Sequence, residues 1–283
     1  MKKTSIFFLI ISAVLIIAGF VVRGIAINKA ENANVKLFRQ DHTKDGDLIE
    51  TIDFSSADTN KINIQLSDVD INIIGNSEKS YAEIINLNSL EYSAFTNNRA
   101  FTIQNDIISS IVGRAEGGNI NFNGLRDYIR LGTHGNNKVV NIYLSSNAAV
   151  KIIDIKIKNG NVNVDGVNRI CDYVISINKG NIVYKNTDEI SLLNANINDG
   201  NISIDNSYIA NTDINIKNGN LDFSTLSYLA YSYDVECKVG KISYNSENYT
   251  GTFNLQNEGK KSIFKAQVGV GDVIIKTIEH NFE

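Results

Sequence analysis

Apolar and polar residues alternate in short runs along most of the chain after residue 50, and glycines break the runs at an even pitch. IKNGNVNVDG (157–166), INKGNIVYKN (177–186), INDGNISIDN (197–206) and IKNGNLDFST (216–225) are variants of one ten-residue unit. With Gly160, Gly180, Gly200, Gly219, Gly240 and Gly271 as reference points, four apolar columns emerge. Five residues before each glycine stand Ile155, Ile175, Ala195, Ile214, Val235 and Ala266. Three before stand Ile157, Ile177, Ile197, Ile216, Cys237 and Val268. Two after come Val162, Ile182, Ile202, Leu221, Ile242 and Val273, and four after come Val164, Tyr184, Ile204, Phe223, Tyr244 and Ile275. Composition alone would place about ten apolar residues in such a grid, whereas every position is filled.

Period-two alternation predicts strands with one buried face, and the glycine between two such strands predicts a corner. Two short strands and about ten further residues make one coil, so the expected fold is all-β: a β-solenoid, parallel β-helix-like, of ~20-residue repeats with each coil stacked on the next. The leucine-rich-repeat grammar is absent, and a propeller blade needs about twice the length. Asn161, Asn181, Asn201 and Asn220 directly follow the corner glycines, as Asn119 follows Gly118 in a stray copy of the motif, GGNINFNG (117–124). Their amides are expected to bond from coil to coil as a ladder instead of forming a row of ligand groups. Residues 51–150 are written less regularly than 151–283. The 31 residues from Gly240 to Gly271 predict an inserted loop around 245–260.

The amino terminus has a different pattern. IFFLIISAVLIIAGFVV (Ile6–Val22) is uncharged and follows Lys2-Lys3. It is longer than a signal-peptide core and lacks a strong cleavage site. The reading is a cytoplasmic tail (1–5), a transmembrane anchor helix (6–27), a polar tether (28–50) and an extracytoplasmic domain (51–283). The expected partner of the first segment is the lipid bilayer, in a cell membrane crossed once. No cysteine ends the apolar run, which excludes a lipoprotein.

Charge narrows the ligands. Setting aside Lys2, Lys3 and Arg23 leaves 24 basic against 31 acidic side chains, net −7. That balance excludes a nucleic-acid footprint, and adhesion to an anionic polymer would need a local basic face. His42, His134 and His280 have no spaced partners for a triad or a zinc site. DHTKDGDLIE (41–50) begins like a calcium loop but puts Ile52 where a bidentate acid is required. Asp68 and Asp70 share a strand face and could hold a cation only weakly. Cys171 and Cys237, a little over three coils apart in sequence, are about 15 Å apart along the stack and are expected to stay free thiols. The outward positions Lys156, Ser176, Asn196, Asn215 and Glu236, and Lys158, Asn178, Asn198, Lys217 and Lys238, gather no acids of the kind a polysaccharide lyase uses. No catalytic residue, metal or cofactor is expected, and the chain reads as a non-enzyme. Tyr208, Tyr228 and Tyr249 lie eight or nine residues after their glycines; they are candidates for an exposed binding column, although capping of the core is the commoner use.

KINIQLSDVDINII (61–74), NIYLSSNAAVKIIDIKIKNGNVNV (141–164), the iterated Gly-Asn-aliphatic units and GTFNLQNEGKKSIFKAQVGVGDVIIKT (251–277) together resemble the bacterial cell-envelope family known as putative adhesins, a domain of unknown function. Members often write Ser-Gly-Asp or Ser-Gly-Asn where this chain writes Asn-Gly-Asn. The resemblance implies a β-solenoid ectodomain behind a membrane anchor, and it carries no catalytic residues to transfer. The implied role is non-catalytic binding or structural work at the cell envelope, with a cell-wall polymer or a neighbouring membrane protein as partner. Because some relatives sit beside envelope-stress regulators, a sensory accessory is the alternative; a polysaccharide-active enzyme is a more distant one.

Overall fold

The computed structural model describes residues 41–42, 48–54, 58–87, 92–105, 137–226, 231–257 and 262–278. The expected anchor (6–27), most of the tether and the stray motif at 117–124 lie outside them. No helix among the described residues is long and apolar enough to cross a membrane.

Twenty strands make up the described chain. The first seven are β1 (Asp41–His42), β2 (Leu48–Asp53), β3 (Lys61–Asp68), β4 (Asp70–Ser77), β5 (Tyr81–Ile85), β6 (Tyr92–Asn97) and β7 (Ala100–Asn105). Next come β8 (Val139–Ser145), β9 (Ile152–Asn159), β10 (Val162–Asp165), β11 (Asn168–Lys179), β12 (Ile182–Lys185), β13 (Asp188–Asp199) and β14 (Ile202–Asp205). The chain closes with β15 (Ile209–Asn218), β16 (Leu221–Leu226), β17 (Ser232–Tyr244), β18 (Glu247–Leu255), β19 (Ile263–Val270) and β20 (Val273–Ile278).

Long and short strands alternate because each coil bends twice. The first bend is the motif glycine. The second is a residue in the left-handed region after the short strand, Gly166, Asn186 or Asn206 in successive coils. Asparagine tolerates that conformation better than other side-chain-bearing residues, which is why Lys-Asn and Asp-Asn recur there. Like strands then pair in parallel at the sequence pitch: Ile157 with Ile177, Ile177 with Ile197, Ile197 with Ile216. The short strands pair the same way, Val162 with Ile182 and Ile182 with Ile202. Of the four predicted columns, every member is buried except Tyr244, which is half-buried. The stacked-coil reading therefore holds where the repeat is regular.

It fails at both ends, where order in space departs from order in sequence. β3 lies between β7 and β9, so the first coil is clasped between two later ones. Likewise β19 lies between β15 and β17, so the last coil is inserted beneath the one before it. The expectation that each coil stacks on the next is corrected accordingly. Spatial order is β7/β8, β3/β4, β9/β10, β11/β12, β13/β14, β15/β16, β19/β20 and then β17. The predicted loop around 245–260 is instead largely a return strand, β18, antiparallel to β17. Its turn residues Asn245 and Ser246 both have positive φ, as do Asn98 and Arg99 between β6 and β7. Two positive-φ residues in a row are the mark of a type I′ hairpin, whose twist matches that of its flanking strands. A tight antiparallel hairpin thus ends the stack on each side, and its outer strand, β6 or β18, pairs only with its hairpin partner among the described strands.

The corner glycines form a column of their own. At Gly200 φ is +150°, and a Cβ built there would meet the Gly180 carbonyl oxygen at under 3.0 Å. The same clash links Gly160 to Val69, Gly180 to Gly160, Gly219 to Gly200, Gly271 to Gly219 and Gly240 to Gly271. Glycine is needed here for two reasons, backbone conformation and the absence of a side chain.

One buried carboxyl sits in the end layer. Glu50, on β2, is almost fully buried; the Tyr92 hydroxyl donates to one of its oxygens, and Oε1 has no partner. Burial pushes its pKa from 4.5 up to about 7, against the lowering effect of the tyrosine bond. The folded state therefore holds a proton between pH 4.5 and 7 that the unfolded chain has released. Stability falls as pH rises through that window.

Gly200→Ala should destabilise the domain by about 3 kcal/mol or more, read from chemical denaturation. The melting temperature of Glu50→Gln minus that of the unmutated chain should be flat below pH 4.5, grow in favour of the variant up to pH 7, and level off above it.

Candidate functional site

The outward face of the long-strand sheet carries a groove of about 800 Å³ that runs across β9, β11, β13, β15, β19 and β17. One wall is the row Lys156, Ser176, Asn196, Asn215 and Gln267; the other is Lys158, Asn178, Asn198, Lys217, Gly269 and Lys238. Pairing places each row in register from strand to strand. No aspartate, glutamate or aromatic residue lines it. Gly269 packs its backbone against that of Lys217, so closely that a Cβ there would meet the Lys217 carbonyl oxygen. Lys156 lies 3.8 Å from Asp154, which is itself held 3.0 Å from Lys61. Lys158, Lys217 and Lys238 are exposed and have no acidic partner among the described residues. Asn198 Nδ2 donates to Asn178 Oδ1 at 2.8 Å, which orients that pair.

The asparagine column at the glycine corner is a ladder. Asn181 donates its backbone N–H and its Nδ2 to Asn161 Oδ1, both at 3.0 Å. Asn201 does the same to Asn181, at 2.9 and 3.2 Å. Asn220 N donates to Asn201 Oδ1, and Asp272 N to Asn220 Oδ1, each at 2.8 Å. Aspartates take the two ends. Asp70 Oδ1 receives Asn161 N at 2.7 Å, and Asp272 Oδ1 receives Lys241 N at 2.9 Å. Asp70 is thus a rung, and Asp68 accepts from Asn159 Nδ2 at 2.5 Å, so the carboxylates weighed as a weak cation site are bonded into the stack. The ladder's side-chain oxygens each accept from the neighbouring coil, which makes the column structural.

This corner, repeated through the stack, belongs to a sequence pattern that spans residues 59–279 and matches the Toastrack DUF4097 model. The chain belongs to the Toastrack DUF4097 family. The family expected from the sequence motifs is therefore the one found. Solved structures similar to this Toastrack chain include a putative cell adhesion protein from Clostridium sporogenes, 16% identical over 85% of this chain and 100% of that one, TM-score 0.46. A putative adhesin from Bacteroides fragilis is 12% identical over 81% and 97%, TM-score 0.37. One from Parabacteroides distasonis is 12% identical over 84% and 98%, TM-score 0.31. No curated protein sequence matches the chain.

The remaining candidates scatter over the Toastrack domain. Tyr208, between β14 and β15, is half-buried, with its hydroxyl 3.4 Å from Ser262 Oγ. Tyr249 lies on the closing hairpin, its ring 4.8 Å from Phe253 and its hydroxyl donating to Glu247 at 2.8 Å. A whole coil, β19/β20, separates the two; Tyr228 lies outside the described residues, as do His134 and His280. His42 falls on β1. Cys171 and Cys237 are free and buried, as expected. The inserted coil sets them four strand steps apart, about 19 Å. Burial pushes the Cys171 thiol up to about 11, which keeps it protonated and unreactive. Among the described residues no group of three or more His, Cys, Asp or Glu could hold a metal ion.

Sequence reasoning read most of both walls as outward positions but not Gln267 and Gly269, which join the rows because β19 is inserted between β15 and β17. It also passed over Asp70 and Asp272 as rungs. The signal was present: each occupies the position that asparagine fills in the other coils.

If the ladder is structural, Asn201→Ala, which leaves the Asn220 N–H without its acceptor, should cost about 1–2 kcal/mol in chemical denaturation. Asn196→Ala, in the groove wall, should cost less than about 0.5 kcal/mol.

Proposed function

We propose that this Toastrack chain is a non-catalytic binding protein of the bacterial cell envelope, held by residues 6–27 in the cell membrane with the β-stack outside. The observation that carries the binding role is the groove: a regular, solvent-facing surface whose walls carry amides, a hydroxyl and ammonium groups, with the aliphatic positions Ile157, Ile177, Ile197, Ile216 and Val268 between them. Its walls offer hydrogen-bond donors and positive charge and contain no carboxylate or imidazole that could act as a general base. Such a surface holds a ligand without transforming it. The location rests on the Lys2-Lys3 pair ahead of Ile6–Val22, an arrangement that retains the short tail in the cytoplasm.

The reading is tested in intact cells with the full chain. Protease added outside should remove the β-stack while leaving a membrane-embedded amino-terminal fragment, and cross-linking should join the stack to envelope polymer. Recovery of the whole chain in the cytosol, or an accessible stack that cross-links to no envelope component, overturns it.

A further inference from the structure

The groove's chemistry identifies a ligand class more narrowly than binding in general, and this step rests on the reading above. We propose that the groove holds an extended anionic polysaccharide, its carboxylates on Lys158, Lys217 and Lys238 and its hydroxyls on the amides between them.

Charge placement is the first argument. The chain beyond Arg23 carries net −7, so an anionic polymer is repelled by most of the surface. The groove is the exception, because its walls hold four lysines and no acid. Carboxylates border it: Glu236 pairs beside Gln267 at the end of one wall, and Asp154, Asp213 and Asp234 stand in the next column out, Asp154 engaged by Lys61 at 3.0 Å. A local positive channel on an acidic body fixes where a polyanion lands.

Spacing is the second. Lys156 and Lys158 are two residues apart on one strand, about 7 Å. Lys158 and Lys217 are three strand steps apart, about 14 Å, and Lys217 and Lys238 two steps, about 10 Å. Charges at multiples of the strand spacing suit a linear polymer whose units repeat at a similar rise, and that spacing is close to the length of one sugar in an extended glycan.

The groups between the lysines are the third. The Asn178–Asn198 bond, in the groove wall, leaves Asn178 Nδ2 and Asn198 Oδ1 available, one donor and one acceptor. Ser176, Asn215 and Gln267 add more of both kinds. A hydroxyl-rich ligand can use acceptors and donors together, whereas a phosphate polymer offers acceptors alone. The walls also lack arginine, the usual fork for phosphate, and lack the aromatic platforms that nucleobases stack on.

The test uses the full chain in detergent, with chelator present, and measures binding to alginate, to neutral dextran and to inorganic polyphosphate. Alginate should bind, and its affinity should fall steeply with salt. Lys158→Glu, Lys217→Glu and Lys238→Glu combined should weaken alginate binding by about tenfold or more. Lys151→Glu, Lys185→Glu and Lys276→Glu combined make the same change in net charge outside the groove and should change it less than about twofold. Asn178→Ala with Asn198→Ala should weaken alginate about fivefold and polyphosphate less, because phosphate can use the Asn178 donor but not the Asn198 acceptor. Equal loss in the two lysine triples, dextran bound as tightly as alginate, or polyphosphate preferred with no asparagine effect would each overturn the assignment. In cells, envelope cross-linking that survives the groove triple would remove this ligand while sparing the general binding role; no cross-linking by the unmutated chain would remove both.

Discussion

Everything in this domain is built on how closely one coil approaches the next at the glycine corner. Corner carbonyls sit where a Cβ of the next coil would have to be, so glycine there fixes both the turn and the stacking distance. With that distance set, parallel pairing follows along both strands, and the aliphatic columns meet inside at van der Waals contact. The asparagine ladder runs along the same line. Each amide caps the backbone N–H of its neighbour, so the corners lose no hydrogen bonds where the ladder of strands is interrupted. Glycine permits the approach, asparagine satisfies its polar groups, and the aliphatic side chains supply the hydrophobic gain.

The repeat was readable because one period governs all three. Ile157, Ile177 and Ile197 announce the pitch, the face and the parallel pairing together, since only parallel strands keep identical residues in register over many coils. The ends were not readable from the same rule. KINIQLSD and IFKAQVGV look like any other coil strand, and nothing local tells β3 or β19 that it will be clasped between two coils written elsewhere. Hairpin turns at Asn98-Arg99 and Asn245-Ser246 lack the glycine that usually advertises a type I′ turn. At the site, alternation located the outward rows, but Gln267 and Gly269 enter them through the inserted β19, which period counting does not see.

A uniform stack presents a long face cheaply, because any outward column can vary while the inward ones stay aliphatic. Here the variation has an electrostatic sense. Asp154, Asp213 and Asp234 share one outward column, and four lysines line the groove in the two columns beside it. Interior chemistry is inert: a protonated thiol, tyrosines raised far above their usual range by burial, and one carboxyl near neutrality in the end layer. These shifted groups all lie away from the groove that meets solvent.

Inserting β19 between β15 and β17 has a bearing on how the molecule is made. Until residues 263–278 emerge, the coil ending at β16 has no neighbour on that side, and β17 has nothing to rest on except its own hairpin. Assembly of this half therefore departs from chain order: β19 and β20 must slot between a coil and a hairpin that both precede them, and the hairpin cannot settle before the coil it rests on.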